Sequence, residues 1–108
     1  MSNPVGRKDD LGKTRWELVP WEALTEVVQV LMAGSKKYDD HNWQWLPGLR
    51  TRVFAAGIRH MVQRILGEKR DKETGRLHSA HACCCLLFFT WRDLGSKNKG
   101  IDWGPDDD

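Results

Sequence analysis

Apolar residues recur at helical spacing in three stretches of the chain, and polar, glycine-containing segments separate them. In the first, Leu24, Val27, Val28 and Leu31 fall at i, i+3, i+4 and i+7, which is the stripe of an amphipathic helix. Pro20 suits the first helical position, where a missing N–H costs nothing, and Gly34 weakens the helix near its end. "DDHNWQWLPG" then reads as a loop. A second helix is predicted from near Arg50, with Phe54, Ile58, Met61 and Ile65 on its apolar face, and it should stop around Gly67. A third is predicted over about Leu77 to Leu94, with Leu77, Ala80, Cys84, Leu87, Phe88 and Trp91 toward the core. No segment shows convincing strand alternation, so the expectation is an all-α fold. Residues 1–18 form a polar N-terminal segment that contributes to a site, and 19–94 a helical domain. The tail 95–108, rich in Gly, Lys and Asp, reads as flexible or arm-like; Ile101 and Trp103 within it are candidates to latch onto a neighbouring subunit.

Three helices with generous apolar faces make a thin protomer. A second copy would complete a four-helix-bundle-like core, so a homo-oligomer, dimer or tetramer, is expected. At 108 residues the chain is one small domain with a modest core. Its net charge of +2 gives no global basic field, and no helix carries a basic face, which disfavours a DNA-binding module or a stable nucleic-acid complex. Six tryptophans are many for this length, and an interface or ligand accounts for some of them. Cys83, Cys84 and Cys85 point in different directions on a helix, so they read as small core residues of a reducing compartment. No long apolar run or signal peptide is evident, and the expectation is a cytoplasmic protein without a membrane segment.

The run "GEKRDKETGRLHSAH" gathers the densest chemistry. Glu68 and Asp71 form E-x-x-D at the end of the second helix, a spacing that suits Mg²⁺ or Mn²⁺. Alternatively Asp71 caps the turn and Glu68 is solvated. His78 and His81 share a face of the third helix, beside the Leu77/Cys84/Trp91 stripe; they read as metal ligands, acid–base groups, phosphate donors or satisfied histidines. His60, after Arg59, adds a candidate from the second helix. Scattered histidines without Cys-x-x-Cys argue against structural zinc. On the first helix Glu22 and Glu26 share a face one turn apart, Glu22 in a position favoured by the helix dipole. Lys13 and Arg15 precede that helix, while Lys36, Lys37, Tyr38, Asn42 and Trp43 follow it. Cations for phosphate, aromatic rings for stacking and an amide for a base edge together describe a nucleotide ligand.

Taken together, "GKTR", "LVPWEAL", "GSKKY", "NW", "RH" and "GEKRDKETGRLHSAHACCCLLF" resemble the phage-associated dATP/dGTP diphosphohydrolase N-terminal domain family, related to the MazG-like nucleoside triphosphate pyrophosphohydrolases. The likeness covers roughly residues 9–93. It implies an all-α oligomer that cleaves a purine deoxynucleoside triphosphate to monophosphate and pyrophosphate, in the cytoplasm of an infected bacterial host if the gene is a phage's. It also implies Mg²⁺ or Mn²⁺ held by Glu22, Glu26, Glu68 and Asp71, with a metal-activated water attacking the α-phosphorus. His78 and His81 match the histidines after the family's acidic turn. Lys13, Arg15 and Lys37 fall to the phosphates, and Tyr38, Asn42 and Trp43 to the base, with Lys36, Arg59 and His60 as further substrate-binding candidates. The first helix here carries E-x-x-x-E where MazG-like enzymes usually carry E-E-x-x-E. A rival class is a nucleotide-binding sponge that sequesters an immune signal without cleaving it, for which Lys, Arg and His would suffice.

Overall fold

The computed structural model describes residues 11–95, together with Gly6; the expected arm at 96–108, with Ile101 and Trp103, lies outside the described residues. Three helices carry the fold: α1 (Trp21–Lys37), α2 (Leu49–Ile65) and α3 (His78–Gly95), with 3₁₀ turns at Trp16–Leu18 and Asn42–Trp45. Among the described residues the only bridge between extended segments is Arg70 with Leu77, so the protein is all-α as its periodicity indicates. Pro20 does not enter α1 but caps it in extended backbone, its carbonyl accepting from the Leu24 N–H at 3.0 Å. Glu22 in the first turn and Lys36 and Lys37 in the last oppose the helix dipole with the favourable signs.

Helix α3 is the middle layer, packed against both α2 and α1. Toward α1 it presents Ala80 and Cys84, which form a core with Val27 and Val30, flanked by Leu24, Leu31, Leu77 and Phe88. Burial pushes the Cys84 thiol up to about 12, so it behaves as a small apolar side chain; Cys85 is half-buried, whereas Cys83, expected in the core, is exposed. Toward α2 the same helix presents a second stripe on its opposite side: His78, Ala82 and Cys85. Trp43 stacks on Phe88 with centroids 4.1 Å apart and meets Trp91 edge-on at 4.8 Å, closing the far end of α3.

The face of α2 that enters the core corrects the sequence expectation. Leu49, Arg50, Val53 and Gly57 are buried, whereas Phe54, Ile58, Met61 and Ile65 are 43%, 49%, 38% and 77% exposed. The larger apolar stripe dominates the periodicity, but small residues decide where two helix backbones can approach. A Cβ built at Gly57 would stand 3.4 Å from the Cys85 Cβ and 3.9 Å from the Ala82 carbonyl. Leu87 and Trp91, assigned to the core from sequence, are likewise 44% and 40% exposed; they share a face with Ala80 and Cys84 but lie further along α3 than the core those residues form with Val27 and Val30. His78 moves the other way: expected beside the core stripe, it is 2% exposed at the head of the α2-facing stripe. Arg50, also 2% exposed, reaches Asp93 of α3 at 3.6 Å.

The contact at Gly57 sets a volume limit. Gly57→Ala should fold with stability within about 1 kcal/mol of the parent, since one methyl only reaches contact distance while helix propensity improves by roughly 0.5–1 kcal/mol. Gly57→Leu should lower stability by about 1–3 kcal/mol through overpacking, measured by urea unfolding followed by circular dichroism.

Candidate functional site

The site is built by the way α2 ends. Its last turn closes in a Schellman arrangement: Glu68 N–H bonds to the Gln63 carbonyl at 3.0 Å and Gly67 N–H to the Arg64 carbonyl at 3.1 Å. Gly67 takes φ 111°, which a side chain would resist, and so fixes where Glu68 leaves the helix. The chain then folds into a short ladder, with His78 N–H on the Lys69 carbonyl at 3.0 Å and Asp71 N–H on the Arg76 carbonyl at 2.8 Å. Asp71 holds the tip. Its Oδ2 accepts from the Thr74 N–H at 3.0 Å and the Thr74 hydroxyl at 3.1 Å, while Gly75 N–H bonds to its carbonyl at 2.8 Å. D-x-x-T followed by Gly is therefore a turn signal as well as a source of carboxylate.

This ladder delivers His78 and His81 to α3 directly opposite His60 of α2. His60 Nδ1 and His78 Nδ1 are 2.9 Å apart, and His78 Nε2 lies 2.7 Å from Glu68 Oε1. His81 stacks on His60 at 4.3 Å with planes 9° apart, and its Nε2 is 2.7 Å from Thr74 Oγ1. The network fixes the protons. The Glu68 carboxylate can only accept, so His78 Nε2–H donates to it. His78 Nδ1 is then a lone pair, which in the neutral chain accepts from His60 Nδ1–H. The Thr74 hydroxyl donates to Asp71, so it accepts from His81 Nε2–H and leaves His81 Nδ1 a lone pair.

A cleft of about 420 Å³ opens over this cluster, lined by Ala56, Arg59, His60, Gln63, Glu68, Asp71, Lys72 and His78. Among the described residues, His60, Asp71 and His78 each offer a donor atom, and these atoms all lie within 4.8 Å of one another. The lining of the cleft is mostly polar, as a site for an anion or cation must be.

The sequence candidates divide into those the fold brings here and those it does not. Glu68, Asp71, His78, His60 and Arg59 line the cleft, and His81 backs it. Lys37 approaches from α1, bonding Glu73 of the ladder at 2.8 Å, with Lys36 and Tyr38 exposed beside it. Glu22 is exposed on the first turn of α1, and Glu26 lines a different, apolar cavity of about 300 Å³ with Val27, Leu77, Ala80 and Cys83. The two cavities share no lining residue. Lys13 and Arg15 are exposed ahead of α1, Arg15 pairing with Glu17 at 2.8 Å. Trp43 belongs to the aromatic packing on α3, and Asn42 begins the 3₁₀ turn that places it there. Sequence reasoning missed Lys72, Gln63 and Thr74. Lys72 was legible as the i+4 partner of Glu68, from which its ammonium stands 3.6 Å; Gln63 carries no signal of its own.

Burial, reinforced by the neighbouring His81 and His78 rings, lowers the pKa of His60, and burial likewise lowers that of His81. Burial pushes the Asp71 carboxyl up, but the two Thr74 hydrogen bonds and the nearby His81 outweigh it and hold it below the ordinary carboxylate value. All three shifts act on stability in one direction. Each group binds its proton less readily folded than unfolded, so stability is present above the unfolded pKa and is lost as pH falls. The metal-free protein should therefore lose thermal stability first below about pH 6.5, as the histidines of the unfolded chain charge, and again below about 4 as Asp71 must protonate. His81→Gln should flatten the first step and leave the second, read from melting temperatures across the pH range.

Comparison with known proteins places this arrangement. The family model for the N-terminal region of dATP/dGTP diphosphohydrolases matches residues 3–102. A dATP/dGTP diphosphohydrolase of Salmonella phage PMBT28 is 38% identical over 88 residues, which cover 81% of this chain and 29% of that protein. The chain thus spans less than a third of the length of that relative. No solved structure matches it. The match runs through the helices and the ladder alike, and the chain belongs to the dATP/dGTP diphosphohydrolase N-terminal family.

Proposed function

We propose that this chain takes part in metal-dependent cleavage of a purine deoxynucleoside triphosphate, of the dATP or dGTP type, to monophosphate and pyrophosphate. The observation that carries the reading is the convergence of Glu68, Asp71, His60 and His78 in one polar cleft with Arg59 and Lys72. The family relationship supports the substrate class, since the phage relative is named for dATP and dGTP. Arg59 and Lys72 supply positive charge for phosphate oxygens, Arg59 with a planar fork that can engage two at once. A divalent ion, when bound, would neutralise charge developing on the phosphates and acidify a water. His81, held through Nε2 by Thr74, keeps Nδ1 as a proton acceptor beside the cleft. Lys37 is tied to Glu73 of the ladder and does not line the cleft.

Only two of the four carboxylates singled out in the sequence line the cleft, and this favours keeping sequestration as the second reading. One experiment separates them. Purified protein incubated with each deoxynucleoside triphosphate and a divalent metal should yield monophosphate and pyrophosphate on anion-exchange chromatography. Nucleotide bound and recovered intact would mark a binding protein instead. Arg59→Ala should weaken the hydrolase by raising KM roughly 10-fold or more, in keeping with about 1.5–3 kcal/mol for a hydrogen bond to a charged group.

The exposed stripe of α2, from Phe54 through Ile58 and Met61 to Ile65, is the surface proposed to pair with a second copy. Ile58→Glu should convert a dimer to a monomer in sedimentation velocity with its helical circular dichroism unchanged. A parent protein that sediments as a monomer would remove this proposal.

A further inference from the structure

We infer that the cleft binds a first-row transition ion of the Mn²⁺ to Zn²⁺ class, through His60, Asp71 and His78, in preference to Mg²⁺. The inference deepens the hydrolase reading, on which it rests for the ion's use but not for its binding.

The first argument is spacing. Two donors about 2.1 Å from one ion and at right angles to each other lie about 3 Å apart. His60 Nδ1 and His78 Nδ1 are 2.9 Å apart and come from different helices; an ion would take the place of the proton that His60 Nδ1 shares with His78 in the metal-free protein, and His60 would then carry its proton on Nε2. The second argument is what stands behind the ligands. His78 Nε2 is held by Glu68 Oε1 at 2.7 Å, the carboxylate–histidine arrangement that fixes a tautomer with its other nitrogen as the lone pair and makes that nitrogen more basic. His78 is 2% exposed, so its ring cannot turn away, and His60 is clamped by the parallel His81 ring at 4.3 Å. Asp71 is positioned in the same manner: Thr74 engages Oδ2 through two hydrogen bonds, and a carboxylate retains a second oxygen for an ion.

The donor set then chooses the metal. Two imidazoles and one carboxylate suit Mn²⁺, Fe²⁺, Co²⁺ and Zn²⁺, whereas Mg²⁺ favours an oxygen shell and keeps its waters. Glu68 is in this assignment a positioning residue that acts through His78. An ion at this place would sit among Arg59, Lys72 and Gln63, where the phosphates of a nucleotide would also be held.

The test uses the full chain, stripped of metal and free of nucleotide, titrated with Co²⁺, Mn²⁺ and Mg²⁺ by calorimetry and, for Co²⁺, visible absorption. One Co²⁺ per chain with a ligand-field spectrum, and Mg²⁺ bound at least about 10-fold more weakly, is the expected result. His60→Ala should abolish saturable Co²⁺ binding while far-ultraviolet circular dichroism is retained. Glu68→Gln, which keeps the side-chain shape, should weaken Co²⁺ by about 10- to 100-fold without removing its spectrum. Equal binding of Mg²⁺ and Co²⁺, an unaltered Co²⁺ spectrum in His60→Ala, or no Co²⁺ bound at all would overturn the assignment. Nucleotide turnover measured on the same samples separates the two readings. Turnover without saturable Co²⁺ binding in the parent protein would refute the metal site and keep the hydrolase, whereas Co²⁺ bound as described with no turnover would keep the site and refute the hydrolase.

Discussion

The close approach of α2 and α3 at Gly57 is the constraint on which the site depends. A Cβ at that position would stand in ordinary contact, 3.4 Å from the Cys85 Cβ and 3.9 Å from the Ala82 carbonyl, so nothing larger than a methyl fits between the two helices there. One turn further along α2 stands His60, and one turn back along α3 stand His78 and His81. Because the helices already touch at Gly57, the imidazoles are brought to 2.9 Å and 4.3 Å instead of facing each other across a gap. Side-chain packing of ordinary thickness would hold helices 8–10 Å apart and leave room for a larger residue between them.

The ladder after α2 is the second half of the device. A helix ending in open loop would leave Glu68 and Asp71 free to sample many positions, and a site built from them would carry a large ordering entropy. Here the Schellman closure fixes Glu68, and the Asp71–Thr74 bonds fix the tip. Asp71 thus holds the turn in shape and offers a carboxylate to the cleft. The alternatives that its position in the sequence suggests, a turn residue or a ligand, are compatible in one side chain because the two oxygens are separate acceptors.

The layered arrangement leaves much apolar surface on the outer faces of α2 and α3, including Leu86 and Leu94, which are 60% and 85% exposed. Three helices in one layer have two open sides, and the middle helix alone is covered on both. Among the described residues no helix is long and apolar enough to cross a membrane.

The sequence by itself determined that there are three helices, where they stop, and that the charged run between the second and third matters. Those features are local: apolar spacing, Pro20 near a helix start, Gly67 at a helix end and the acidic turn at Asp71 act over a few residues. It did not reveal which face of the second helix turns inward. Hydropathy favoured Phe54, Ile58, Met61 and Ile65, yet close contact is made by Gly57 and Ala82, whose small side chains carry little apolar signal. The burial of His78 and Arg50 was hidden for a related reason: a polar residue enters a core only if its partners, Glu68 and His60 or Asp93, are brought there by other parts of the chain. The separation of Glu26 from Glu68 follows too, since it depends on α1 and α2 lying on opposite sides of α3. Periodicity tells a helix that it has an apolar side, but only the tertiary structure decides what that side meets.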